Sequence, residues 1–337
     1  MSVTSSPPPW STGAAIASPS SPELALTDAE PSSQPAAPSG VPVGWKIRLE
    51  DPFNRHYRYP LARLLVRVLI KTPVTPNQVT LVQPFLAALA GYCVTFDDAR
   101  HLALGALLFE IRSILDCADG TLARAKNMMS PAGHAIDAMA DWIGVILLYA
   151  GIFQHFRLHP PPSGPWSAYI STTGLLCVVL FHAALRSFAS DYFKLKYTSI
   201  FEQGRDETVE SLRRKMLALR ERPSLFGRID VLIGQMGHLS FEREWFCPEN
   251  SRAMSDAQIR ELRRGERSTT TRFVVGLWAL SNGDAFLSLV IVSIVLNRLW
   301  EGQLLFATVG VAWIYGVLLI NALFLWGASR RARLAAG

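Results

Sequence analysis

The chain has 337 residues, half of them hydrophobic and 18% charged, with a formal net charge of +6. That balance is too apolar for a disordered chain and long enough to build a sizeable core. The four cysteines, Cys93, Cys117, Cys177 and Cys247, have no paired spacing, which excludes a disulfide framework and suggests reduced thiols used as small apolar residues. No nucleic-acid motif accompanies the positive charge, which membrane topology and an anionic lipid surface explain instead.

Residues 1–45 are expected to be a disordered tail. Residues 1–40 are rich in Ser, Pro and Ala, lack Lys and Arg, and have neither the basic nor the apolar region of a secretory signal. Residues 59–71 place Arg63, Arg67 and Lys71 at every fourth position among Leu and Val. This predicts an amphipathic helix lying on the membrane surface, its cations near lipid phosphates.

Six membrane spans follow from runs of about 20 apolar residues. They are expected near 77–96, 100–118, 132–154, 166–189, 271–296 and 302–327, giving an all-α integral membrane protein. The second is the most polar, since it carries Glu110, Arg112 and Asp116; such groups usually face a bundle interior or a wet cavity. The expected organisation is the tail, then 46–190 with the surface helix and spans one to four, a polar insertion at 191–270, and 271–337 with spans five and six and a basic end. In the insertion, Glu210 to Glu221 and Ser255 to Arg267 have helical character, with Ser255 as N-cap. Its mixed charges, Arg213-Arg214-Lys215 among them, suit solvated helix faces. Basic residues crowd the segment before span one, the turn between spans two and three, the insertion and the C-terminus. By the positive-inside rule both termini and that turn are cytoplasmic, with a bacterial-type inner membrane as the expected location.

The chemistry lies around that turn. Asp116 and Asp119 are three apart, and Asp137 and Asp141 four apart, so each pair shares a helix face. Lys126 to Pro131 reads as a turn with Pro131 opening the next helix. A hairpin would aim both carboxylate pairs at one point. Carboxylates at a membrane boundary are costly, and a hard cation such as Mg²⁺ or Mn²⁺ is the most economical compensation. Two such ions close together are a known device for phosphoryl transfer.

The stretch D-x2-D-G-x2-A-R-x8-G-x3-D-x3-D, filled here by Asp116, Asp119, Gly120, Ala123, Arg124, Gly133, Asp137 and Asp141, resembles the signature of the CDP-alcohol phosphotransferase family. Thr75-Pro76-Asn77-Gln78-Val79-Thr80 resembles the segment opening the first membrane helix of that family, and the likeness covers roughly residues 50–190. The resemblance implies transfer of a substituted phosphate from a CDP-linked donor, with CDP-diacylglycerol first in line, to an alcohol or phosphorylated-alcohol acceptor, with release of CMP. It implies two ions, Mg²⁺ or Mn²⁺, held by Asp116, Asp119, Asp137 and Asp141, with Asp141 also the general base. By the same resemblance, Gly120 and Gly133 let the donor approach the backbone, Arg124 holds the diphosphate and Ser130 touches the CDP-linked substrate. Asn77 would line the pocket or cap span one. Residues 54–77 resemble a branch that includes inositol-phosphate-using synthases, and Ala138 stands where many phosphatidylglycerol-phosphate synthases have Pro. A soluble CDP-alcohol with a polyol or lipid acceptor is the alternative. Relatives are often dimers, so a homodimer is admitted.

Arg186, Lys194 and Lys196 either bind a phosphorylated alcohol or simply flank span four. Asp284, an ionisable group within span five, faces the site or pairs with Arg112 or another bundle residue. A cation transporter is the competing class. Against it, the aspartates sit at one membrane face, whereas transporter sites lie near the midplane.

Overall fold

The computed structural model describes residues 44–162, 164, 170–221, 223–241 and 254–335. The expected tail up to residue 43, Cys247 and residues 242–253 of the insertion lie outside the described residues. Among the described residues the chain is helical without strands. The helices are α1 Trp45–Arg48, α2 Tyr59–Leu69, α3 Pro76–Val94, α4 Ala99–Ala125, α5 Pro131–Leu158, α6 Thr172–Thr198, α7 Thr208–Glu221, α8 Leu225–Phe241, α9 Asp256–Arg264, α10 Thr269–Leu280, α11 Gly283–Val295, α12 Leu299–Leu305 and α13 Val311–Leu334.

Short polar side chains start most of these helices. Thr75, Asp98, Ser130, Ser171, Ser255 and Ser268 each accept a hydrogen bond from a backbone N–H of the first turn, satisfying a donor the helix cannot. Thr75 with Gln78, and Ser255 with Gln258, form complete capping boxes. Asn77 therefore does not cap the first expected span; Thr75 does, because its hydroxyl reaches the N–H of Gln78. The turn between α4 and α5 forms where expected. Asn127 adopts the left-handed conformation (φ 53°) that commonly ends a helix. Lys126 Nζ donates to the carbonyls of Thr72 and Val74 at 2.7 and 2.8 Å, tying the turn to the start of α3.

Gly133–Leu158, Thr172–Gln203 and Leu299–Leu334 are long and apolar enough to cross a membrane. The pair α10 and α11 makes a fourth if it counts as one span. That pair corrects the expected single span 271–296: the two helices meet at 52°. Asn282 is the reason. Its backbone is extended (φ −73°, ψ 158°) and its side chain accepts from the N–H of Asp284, so it starts a new helix. The boundary at residue 190 is corrected too, since α6 runs on to Thr198 and a π-helical turn at Ser199–Gln203. A second π-helical turn, Phe306–Gly310, joins α12 to α13, and the Gly310 carbonyl there accepts from Arg186 at 2.9 Å.

Helix α3 is the hub of the site region, packed against both α4 and α5. Its buried face carries Ala87, Ala90 and Val94, in one core with Phe109, Leu148 and Ile152. Its outward face leaves Leu81, Phe85, Leu89 and Tyr92 exposed. A Cβ on Gly151 of α5 would overlap the backbone of Gly91 on α3, so the two helices touch main chain to main chain. Gly151→Leu is expected to force them apart and lower stability by about 3 kcal/mol or more, the upper end of overpacking costs. A fall in the thermal midpoint of the purified protein checks this.

The insertion is docked against the bundle. Helix α8 packs on α5, α6 and α7. Its Asp230 lies 3.3 Å from His134 of α5 and 2.8 Å from Lys215 of α7. Burial alone would raise the Asp230 carboxyl, but the hydrogen bonds from His134 and Lys215 outweigh it and hold it below the usual carboxylate range. Lys215 is thus a structural tie, while Arg213 and Arg214 are exposed.

Candidate active site

Asp116, Asp119 and Asp137 come together. Each offers one carboxylate oxygen, and these three atoms lie within 4.8 Å of one another. Asp119 is oriented by α3: Thr80 Oγ1 lies 2.6 Å and Gln83 Nε2 2.8 Å from the same oxygen, Oδ2. Thr80 and Gln83 are three apart, so one face of α3 presents both. Asp137 is held differently, because its Oδ1 is buried with no hydrogen-bond partner among the described residues. A buried acceptor without a partner is rare and costly. Three hard oxygen donors around such an orphan fit a divalent cation of the Mg²⁺ or Mn²⁺ type.

Asp141 stands one turn beyond Asp137 and outside that set of three. Its carboxylate is bonded to the guanidinium of Arg112, which also lies 4.0 Å from Asp116 Oδ1. Arg112 is only 2% exposed, and Gly144 on α5 leaves it room: a Cβ there would stand 3.3 Å from Arg112 Nε. Arg112 therefore bridges Asp116 and Asp141.

The other expected residues sort as follows. Gly120 has only the tip of Arg124 near a notional Cβ, at 3.7 Å, so its face is open. Arg124 is exposed and donates to Thr121 Oγ1 at 3.2 Å. Ser130 caps α5 through the N–H of Gly133 at 3.0 Å. A Cβ on Gly133 would come within 3.1 Å of that hydroxyl and 3.4 Å of Asn77 Oδ1, so this glycine also protects the cap. Lys196 is buried against Asp206 at 2.9 Å, Arg186 donates to the Gly310 carbonyl, and neither lines the cavity beside the aspartates. Lys194 is bonded to Glu50 at 2.6 Å but still borders the site.

A cavity of about 760 Å³ opens beside Asp137 and Asp141, walled by α5, α6, α11 and the insertion helices α7 and α8. Asp284 lines it and accepts from Asn54 Nδ2 at 2.6 Å, so it both faces the cavity and is held by a bundle residue other than Arg112. Behind the site, Arg58 makes a bidentate pair with Glu110 of α4, both bonds at 2.7 Å. Tyr57 donates to the same carboxylate at 2.8 Å, and Asn54 Oδ1 accepts from Arg58 at 3.1 Å.

Sequence reasoning assigned no role to Thr80, Gln83, Arg58 or Glu110, and missed the link of Arg112 to the aspartates. The available signal was local: Arg112 is one turn before Asp116, and Thr80 and Gln83 share a face of the helix that opens with the recognised segment.

Residues 73–200 match the family model described as CDP-alcohol phosphatidyltransferase. Similar curated proteins include the ceramide phosphoethanolamine synthase of Drosophila melanogaster, 33% identical over 129 residues, covering 35% of this chain and 33% of the relative. The bifunctional IPC transferase and DIPP synthase of Rubrobacter xylanophilus is 35% identical over 111 residues, 33% of this chain and 25% of the relative. The phosphatidylinositol phosphate synthase of Corynebacterium glutamicum is 34% identical over 93 residues, 28% of this chain and 40% of the relative. The matched part thus spans between a quarter and two fifths of these relatives' lengths. No solved structure matches the chain.

Proposed function

From residues 73–200 belonging to the CDP-alcohol phosphatidyltransferase family, we propose that the chain is an integral membrane phosphotransferase of lipid synthesis. It moves a substituted phosphate from a CDP-linked donor to an alcohol. The observation that carries this reading is the convergence of Asp116, Asp119 and Asp137, together with an Asp137 Oδ1 that is buried without a hydrogen-bond partner among the described residues.

Divalent ions held by Asp116, Asp119 and Asp137, with Asp141 completing the set, would offset the negative charge that grows on the diphosphate. Arg124 binds the diphosphate through its planar fork of donors, and the open face at Gly120 admits the nucleotide. Asp141 takes the proton from the acceptor hydroxyl. The new bond joins the acceptor oxygen to the phosphorus bearing the donor's alcohol, the bond from that phosphorus to CMP breaks, and CMP leaves. Arg112 steadies Asp141, while Thr80 and Gln83 keep Asp119 in one orientation. Ser130 and Gly133 serve first by fixing the start of α5, and with it Asp137 and Asp141.

Six spans fit this reading, with α3 and α4 counted beside the more apolar helices; the exposed apolar face of α3 is what a lipid-facing helix needs. Helix α2 then lies on the membrane surface, since Leu61, Leu64 and Val68 are exposed beside Arg63 and Arg67. Both termini and the aspartates are on the cytoplasmic side. The polar segment after α6 lies outside the membrane, and its helices α7 and α8 wall the cavity.

CDP-diacylglycerol is the first donor to test. The relative named as a ceramide phosphoethanolamine synthase favours a second reading, a soluble CDP-alcohol with a lipid acceptor. Purified protein is expected to release CMP with Mn²⁺ and to stop when the ion is chelated. Asp141→Asn is expected to abolish turnover yet keep metal-dependent binding of the CDP donor. Metal flux into vesicles without any CMP release would sink the reading in favour of a transporter.

A further inference from the structure

The cavity beside Asp141 carries an imbalance of charge that bears on the substrate. Four cationic or basic side chains line it: Arg112, His134, Lys194 and Lys215. Each already faces a carboxylate of this chain. Arg112 is bonded to Asp141, Lys194 to Glu50, and His134 and Lys215 both to Asp230. Of the lining acids, Asp284 is held by Asn54 and Asp137 belongs to the metal set. Asp191 is left. It is exposed to the cavity and, among the described residues, makes no hydrogen bond or ion pair. Lys194, three residues on, acts on it only from a distance, its ammonium being taken by Glu50 at 2.6 Å.

The wall next to Asp191 is aromatic. Phe188 lies one turn before it on α6 and stacks on Trp142 of α5, with ring centroids 5.5 Å apart and planes at 29°. Both rings line the same cavity. A carboxylate without a partner beside aromatic faces attracts a cation from both sides, by charge and by the ring quadrupole. A phosphorylated alcohol finds the opposite, since the charge of every lining cation is already offset by a facing carboxylate.

We infer that this cavity binds a protonated amine carried by one of the two alcohols that the reaction joins, with Asp191 as its counter-charge and the Trp142–Phe188 pair as its wall. The inference rests on the phosphotransferase reading and narrows its substrate. The amine enters either on the CDP-linked donor or on the acceptor.

The full chain in detergent with Mn²⁺ is assayed for CMP release in two sets of arms. One pairs diacylglycerol with CDP-ethanolamine or with CDP-glycerol. The other pairs CDP-diacylglycerol with ethanolamine, glycerol or glycerol 3-phosphate. The amine arm of one set is expected to have a KM about tenfold or more below its neutral counterpart, and the set that responds says which substrate bears the amine. Asp191→Asn should erase that preference by raising KM for the amine alone, with kcat little changed. Trp142→Leu should weaken it in the same direction. If Asp191→Asn does not fold, the wild-type preference and Trp142→Leu still decide. CMP release that favours glycerol 3-phosphate or ignores the amine overturns the inference and leaves the phosphotransferase reading intact. Absence of CMP in every arm removes both.

Discussion

Asp137→Asn is expected to lower CMP release by about 10³-fold or more, because removing one carboxylate from the proposed metal site would withdraw several kcal/mol of charge stabilisation. The same change should raise the thermal midpoint of the metal-free protein. Asp116, Asp119 and Asp137 crowd one oxygen each within 4.8 Å, so the neutral amide relieves their repulsion and brings an N–H that can donate to the neighbouring carboxylates. Conversely, the rise in midpoint that Mn²⁺ produces in the wild type should largely vanish, since a ligand stabilises only in proportion to its binding. Thermal scans with and without Mn²⁺, beside the CMP assay, separate a lost metal site from a damaged fold. An unchanged Mn²⁺ response in the variant would refute the assignment of Asp137 as a ligand.

Arg58→Met is expected to destabilise the protein by about 3–5 kcal/mol, the cost of leaving one member of a buried pair without its partner. Arg58 is 1% exposed and meets Glu110 through two 2.7 Å bonds. Without it Glu110 stays in the bundle facing only the hydroxyl of Tyr57. Combining Arg58→Met with Glu110→Leu should recover most of the loss, because two apolar groups of similar volume can replace a buried ion pair at little cost. Denaturant melts of the wild type, both single variants and the double variant close the cycle. A double variant as unstable as Arg58→Met would mean that the pair is not what Arg58 contributes.

The legible parts of the chain were those decided within a few residues. The Asp pairs announced their shared faces through three- and four-residue spacing. The turn at Lys126 to Pro131 and the cap at Ser255 were readable because a short side chain bonds its own first turn. The break at Asn282 was also a local event, yet the apolar run around it masked it. Ser281-Asn282-Gly283 lies inside a stretch whose hydropathy alone describes one span.

Pairings across long separations were not readable. Glu110 is 52 residues from Arg58, and Thr80 is 39 from Asp119. In a linear reading Glu110 and Arg112 only made their segment a poor span. Packing of residues 54–69 against α4 turned Glu110 into half of an ion pair, and packing of α3 against both α4 and α5 let Arg112 bridge Asp116 and Asp141. The insertion read as solvated charge because α7 and α9 are polar, and the apolar α8 between them was not recognised as a helix. Its docking depends on Asp230 meeting His134, a contact that no periodicity encodes.

The sequence by itself pointed to the four acids and their shared helix faces, since three- and four-residue spacing is visible in one dimension, while the reaction class was an expectation from its resemblance to a family. Only the tertiary structure decided which groups neutralise those acids, where the cavity opens and which carboxylate in it remains unpaired. Charge balance in a low-dielectric interior is a property of distances between helices, and these are set by packing.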